Sequence, residues 1–240
     1  TIFHFEHVGV DAQEGWLGPT DWELDDLRTV LSRWQTELDG WNALYLTNHD
    51  QPRIVSRFGD DERYRVASAK LLGTLLFTLR GTPYVYQGQE VGTTNHPWSS
   101  LDEFDDPQTV GKVEAAIEAG EIDSFEAVRE IAAARSRDNA RTPVQWDDSE
   151  HAGFTDGEPW LPVSPEYTEV NVAAAEADPD SVLAYYRDLR ALRAAHDVLV
   201  YGEYELCCPD HDRVWAYRRD LAGADPATAF VTLNFSDEPA

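Results

Sequence analysis

Four short stretches hold side chains whose types could do chemistry. Asn48, His49 and Asp50 follow an apolar run in LYLTNHDQPR, and Gln87, Gln89 and Glu90 follow another in RGTPYVYQGQEVGTTN. Arg137, Asp138, Asn139 and Arg141 precede Pro143 in SRDNARTPVQWDDSEHAGFT, and Glu6 and His7 close a first apolar segment. Carboxylates, amides, guanidiniums and a histidine interleaved with Trp and Tyr suit a polyhydroxylated ligand. Planar polar groups give paired hydrogen bonds to vicinal hydroxyls, and aromatic faces cover the C–H surface of a sugar ring. Each signal alone is weak. An Asn-His-Asp tripeptide is more often a turn closed by Asx hydrogen bonds than a catalytic site, and Arg53 and Arg57 read as ordinary surface ion pairs.

The elements that must position these residues alternate. Ile2 to Glu6 reads as a strand, and Thr20 with Glu23 forms a capping box for a helix whose apolar residues Leu24, Leu27, Val30, Leu31, Trp34 and Leu38 recur at helical spacing up to Gly40. Trp41 to Thr47 is the next strand. A helix over about 60–80 follows, with Tyr64, Ala67, Leu71, Leu75 and Leu79 as its buried stripe and Gly81 as its stop. Pro83 to Tyr86 is the third strand, and Ser181 to His196 the third helix. Strands alternating with helices of this length predict a parallel sheet with helices outside it, where ligands meet the C-terminal ends of strands. Both NHD and QGQE sit at such ends.

An insertion at about 88–178 separates the third strand from the third helix, with a helix expected over Ser124 to Arg135; its length predicts that it shapes a site. After His196 the pattern changes to short strands, Val198 to Leu206, Val214 to Arg218 and Ala229 to Phe235. The expected division is therefore an α/β unit over 1–196 and the start of an all-β unit over 197–240, cut short.

Composition narrows the function classes. The net charge is −26, from 45 acidic and 19 basic residues, and Lys70 and Lys112 are the two lysines. That surface repels phosphate backbones and argues against a nucleic-acid partner. Spread along the chain instead of gathered in a tail, it reads as a salt-adapted exterior, and a halophilic source is expected. No apolar window is long enough for a membrane span, so no membrane association is expected. Cys207 and Cys208 are adjacent and have no other thiol to pair with, which excludes a disulfide scaffold. No HExxH or CxxC pattern occurs, so neither a metal nor another cofactor is expected.

The three long motifs resemble glycoside hydrolase family 13, the α-amylase family, and most closely its oligo-1,6-glucosidase and α-glucosidase branch. The likeness covers nearly the whole chain. The resemblance implies a (β/α)8 barrel with a β-sandwich behind it, and identifies the three strands as the sixth, seventh and eighth of the barrel. It implies that Asp50 is the third catalytic carboxylate, the stabiliser of an oxocarbenium-like transition state, with His49 hydrogen-bonding the same sugar. It places Arg141 at the glucose-binding subsite and Glu90 near the acceptor sugar.

The chain departs from the family in one respect. A retaining glycosidase needs two carboxyl groups about 5–5.5 Å apart, and in this family they follow the fourth and fifth strands, ahead of Thr1. The expectation is a fragment of a retaining α-glucosidase that acts on short oligosaccharides and is inactive alone. A transglycosylating relative (sucrose isomerase or trehalose synthase) and a non-catalytic interaction module, like the ectodomains of amino-acid transporter heavy chains, are the alternatives. The lack of disulfides and the family branch place it in the cytoplasm.

Overall fold

Parallel strands cannot be joined by a tight turn, so each pair here is linked through helix. The computed structural model describes residues 1–12 and 15–239. In it Ile2 bridges Asn42, and β1 (Ala43–Leu44) pairs in parallel with β2 (Thr82–Pro83), in the register Ala43↔Thr82 and Leu44↔Pro83. The crossovers are α1 (Leu24–Thr36), then α2 (Ile54–Phe58) with α3 (Arg65–Thr78). Side chains alternate as the pleat requires: Leu44 and Leu46 join the main apolar core with Leu27, Leu31, Leu72 and Leu76, while Tyr45 lies against Phe3, Phe5 and His7.

Regular pairing is shorter than the three apolar runs suggest. Glu6 already opens a 3₁₀ turn, Glu6–Gly9, so the first segment contributes one bridge instead of a strand over Ile2–Glu6. The start of α1 is also corrected. Glu23, not Thr20, is its N-cap, with the Asp26 carboxylate accepting from the Glu23 N–H at 3.2 Å. The preceding loop is held off the helix by Arg135, which donates to the Gly15, Asp11 and Pro19 carbonyls. In the same way Asp60 accepts from the Glu62 and Tyr64 N–H groups and delays α3 until Arg65. The expected stripe on α3 is out of phase: Leu75 and Leu79 are buried, but Ala67 is exposed, and Ala69, Leu72, Leu76 and Phe77 carry the packing. The run LLGTLLFT is apolar apart from Gly73, Thr74 and Thr78 and carries little phase to read.

The insertion has its own two small cores, Trp98 with Phe104 and Leu161, and Val113 with Val128 and Ala132. It contains a helix that periodicity missed, α4 (Pro107–Ala119), capped by Asp106 and ended by Gly120. The helix expected over Ser124–Arg135 is divided into a 3₁₀ turn, Phe125–Val128, and α5 (Arg129–Arg135). The short α6 (Asp138–Arg141) and α7 (Val172–Ala177) follow. Then comes α8 (Val182–Ala195), whose cap Ser181 accepts from the Ala184 N–H. α8 lies so close to α3 that a Cβ on Gly73 would stand 2.6 Å from the Tyr186 ring.

Residues Asp197–Tyr201 form α9 where a strand was expected; that turn presents the Leu199 carbonyl to both Arg193 and Arg219. The antiparallel meander β3 (Glu203–Cys207), β4 (Val214–Leu221) and β5 (Ala227–Asn234) packs onto α1 and α3. Tyr204 meets Ser32 at 2.7 Å, and Tyr217 meets Thr78. Among the described residues no helix is long and apolar enough to cross a membrane.

Two predictions follow from buried polar groups. Arg193 donates to the carbonyls of Phe77, Leu79, Leu199 and Gly81. Arg193→Met leaves all four without that partner, and unfolding in urea is expected to register a loss of about 3 kcal/mol or more. His7 is fully buried, and burial, then the charges of His4 and Arg57, pull its pKa from 6.5 down to about 3. Between those values the unfolded chain holds the extra proton, so stability is complete above about pH 6.5 and falls as pH drops toward 3. Urea midpoints taken at pH 7, 6 and 5 are expected to decline, and to decline less steeply in His7→Phe.

Candidate active site

The turn after β1 is built by its own side chain. Asn48 Oδ1 accepts from the Asp50 N–H at 2.8 Å, and Asn48 O accepts from the Gln51 N–H at 3.1 Å. The NHD tripeptide is thus an Asx turn and a candidate site at once, because the turn is what lifts His49 and Asp50 to the surface. The side chain of His49 is 73% exposed and that of Asp50 44%.

Asp50 is gripped on one side only. Arg141 donates from Nη2 to Asp50 Oδ1 at 2.8 Å and from Nε to the His49 carbonyl at 3.1 Å, fixing the loop with two donors of one guanidinium. Arg137 Nη1 stands 3.7 Å from the same Oδ1. Oδ2 faces His49 Nε2 at 3.4 Å. One carboxylate oxygen is therefore held by cations, and the other is open to hydroxyl donors. A cleft of about 140 Å³ beside it is lined by Asp11, Trp16, Gln51 and Gln108 as well as Asp50 and Arg137.

Behind the two arginines lie two buried carboxylates. Asp106 Oδ1 accepts from Arg137 Nε at 2.9 Å and also from its Nη2. Asp138, with no exposed surface, stands 3.7 Å from Arg141 and accepts the Asp105 and Asp106 N–H groups at 2.8 Å each. Burial disfavours charge on Asp106, but the hydrogen bonds from Arg137, Thr109 and the Gln108 N–H outweigh it and hold its pKa at about 2. For Asp138 burial wins and its pKa is raised, despite the two N–H donors.

Arg53 and Arg57 are not the surface ion pairs expected of them. Arg53 is 3% exposed, and donates to the Gln87 carbonyl at 2.6 Å and to Thr142 Oγ1 at 3.0 Å. It ties the NHD loop to the QGQE loop and to the segment after α6. Arg57 makes a buried bidentate pair with Asp11 and also donates to Gln51 and Val8. Both turned inward because loops converging on one point leave carbonyls that only a multidentate donor can reach.

The remaining candidates divide. Gln89 is buried against the Tyr186 hydroxyl, and Asn139 Oδ1 accepts from the His96 N–H and Trp98 Nε1, so both are structural. Glu6 pairs with Arg33. Among the described residues no hydrogen bond or ion pair joins Glu90 to His49, Asp50 or Arg141. Its charge acts on Arg53 and Tyr186, and its Oε2 is buried without a hydrogen-bond partner. Asp106 escaped sequence reasoning; the Asp-Pro pair at a helix start was the available signal.

A sequence profile described as "Alpha amylase, catalytic domain" matches residues 1–202. The chain belongs to the alpha-amylase family. The oligo-1,6-glucosidase of Parageobacillus thermoglucosidasius is 48% identical over 242 residues, which is 99% of this chain and 42% of that protein. The oligo-1,6-glucosidase of Halalkalibacterium halodurans is 47% identical over 98% of the chain and 41% of its own length. A trehalulose synthase variant solved with Tris superposes with a TM-score of 0.93 at 41% identity, covering 99% of this chain and 43% of that one. The trehalose-6-phosphate hydrolase of Bacillus licheniformis gives 0.90 at 43% identity, covering 97% of this chain and 42% of that one. This alpha-amylase family chain spans about two fifths of the length of the curated relatives it matches.

Gly88 makes the Arg53 junction possible. Its φ is +87°, and a Cβ there would meet Thr93 Oγ1 at 2.6 Å and Arg53 Nη1 at 2.8 Å. Gly88→Ala is expected to cost about 2 kcal/mol or more, since the strained backbone adds to the overlap. A thermal unfolding midpoint as high as that of the unaltered protein would contradict this account of the junction.

Proposed function

We propose that the full-length protein containing this chain is a retaining α-glucosidase acting on short oligosaccharides, of the oligo-1,6-glucosidase type. The observation that carries the reading is the half-exposed carboxylate of Asp50, held at one oxygen by Arg141 and left open at the other beside His49. It stands in a chain 48% identical to an oligo-1,6-glucosidase. In this reading the three parallel segments are the sixth, seventh and eighth strands of a (β/α)8 barrel, and the meander begins a β-sandwich unit.

The chemistry follows from charge. As the glycosidic bond breaks, positive charge grows on the sugar ring, and Asp50 is a fixed anion beside it whose free oxygen accepts ring hydroxyls. His49 donates or accepts at the same sugar, and Arg141 holds the carboxylate still. Glu90 is assigned to the acceptor sugar on the family resemblance alone, its Oε2 being buried. The nucleophile and the acid/base, a pair about 5–5.5 Å apart in a retaining enzyme, come from polypeptide other than these 240 residues. The chain alone is therefore inactive.

Transglycosylation is the second reading, favoured by the trehalulose synthase that superposes at a TM-score of 0.93. Such an enzyme shares the covalent intermediate and denies it water. A non-catalytic role fits less well with an Asp50 that is still paired to Arg141.

The test is full-length protein assayed on isomaltose, maltose, sucrose and trehalose in molar salt, the last condition chosen for the acidic surface. Glucose released with retained α configuration, followed by NMR, is the expected outcome, and Asp50→Asn is expected to lower kcat about 10²- to 10³-fold. Isomerised sucrose in place of glucose would decide for transglycosylation. Enzyme-like hydrolysis by the isolated chain would refute its inactivity.

A further inference from the structure

We propose that Asp106 is a positioning residue for Asp50, acting through Arg137. The inference rests on the reading of Asp50 as the transition-state carboxylate.

Arg137 has three nitrogens to place. Nε and Nη2 both go to Oδ1 of Asp106, which leaves Nη1 turned toward Asp50 at 3.7 Å, too far for a direct hydrogen bond. Asp106 cannot follow if Arg137 moves. It is 1% exposed, its Oδ2 accepts from Thr109 Oγ1 at 2.7 Å, and its own N–H donates to Asp138 at 2.8 Å. The Arg137 side chain is 28% exposed and has no such packing to hold it. Asp106 is the fixed partner, and Arg137 takes its position from it.

The arrangement puts positive charge near Asp50 without closing on it. Two buried carboxylates, Asp106 and Asp138, stand behind two guanidiniums, Arg137 and Arg141, and these flank the single half-exposed carboxylate. With the charge of Asp106 removed, Arg137 is released to make a contact pair with Asp50. That pair would engage the carboxylate that has to accept sugar hydroxyls and face the growing charge.

The plain alternative is that Asp106 only caps α4, whose Gln108 N–H it accepts at 3.1 Å. A cap needs an acceptor, not a charge, and Asn serves there about as well as Asp. A cap also has no use for a guanidinium on the same oxygen. Asp106→Asn therefore keeps an acceptor for the cap and removes the charge that anchors Arg137.

The experiment compares full-length protein with Asp106→Asn, Arg137→Gln and the double variant, on whichever α-glucoside the unaltered protein turns over. Asp106→Asn is expected to lower kcat about 10-fold with KM within about twofold, assayed well below its own thermal midpoint. In the Arg137→Gln background the same change is expected to have less than a twofold further effect, since two residues acting as one unit are not additive. Wild-type kinetics in Asp106→Asn, a rise confined to KM, or losses that multiply independently would overturn the proposal. If Asp106→Asn does not fold, Arg137→Lys decides. It keeps the charge but cannot bind Asp106 through two nitrogens, so it is expected to lower kcat about 10-fold, and near-parental kcat overturns the inference. A parent that turns over no α-glucoside removes the reading of Asp50 and this inference together, whereas an active parent with additive losses removes the inference alone.

Discussion

Guanidinium groups buried against backbone carbonyls hold the junctions of this chain. Its regular strands pair over very few residues, so the loops between them carry carbonyls with no ladder to join. Arg53 closes the junction of three loops, Arg135 holds the loop before α1, and Arg193 and Arg219 fasten α8, α9 and the meander to the end of α3. One guanidinium offers five donors in a rigid plane and stays charged even when desolvation lowers its pKa, as it does for Arg53, to about 10. A lysine could satisfy fewer carbonyls at a higher desolvation cost. In a chain with two lysines, five arginines, Arg28, Arg53, Arg135, Arg193 and Arg219, are buried parts of the scaffold.

The same device builds the site, with the charges exchanged. At the junctions a cation gathers neutral acceptors, whereas at Asp50 two cations, backed by buried anions, define where one exposed anion stands. Charge alternates outward from Asp138 and Asp106 through Arg141 and Arg137 to Asp50. Each buried carboxylate is stabilised by backbone or hydroxyl donors from the insertion. The insertion is thus more than a wall beside the site, because its N–H groups and hydroxyls determine the geometry of residues from α6.

Element order was legible because apolar periodicity and chain punctuation carried it. α8 began at Ser181 as its cap chemistry required, and the alternation of strand and helix matched a parallel arrangement. Phase and extent were less legible. LLGTLLFT has apolar residues on nearly every side, so the burial of Leu72 and Leu76 over Ala67 depended on what packed around α3. α4 went unseen because an insertion with its own small core leaves only Thr109, Val113 and Ala116 buried along it, too thin a stripe to stand out. Val198 to Tyr201 looked like strand because Val and Leu fit either state, and the helical turn was chosen by the two arginines that needed the Leu199 carbonyl.

By itself the sequence determined the family, the local Asx turn that raises His49 and Asp50, and the residue types gathered around a sugar-like ligand. These are properties of neighbouring residues, or of motifs tens of residues apart whose order is linear. Only the tertiary structure decided that Arg53 and Arg57 turn inward, that Gln89 and Asn139 are structural, and that Asp106 stands behind Arg137. Those outcomes depend on which carbonyls are left without partners when distant loops meet, and on which carboxylate is buried beside which guanidinium. Burial sets the cost of every unpaired polar group, and burial exists only after the chain has folded.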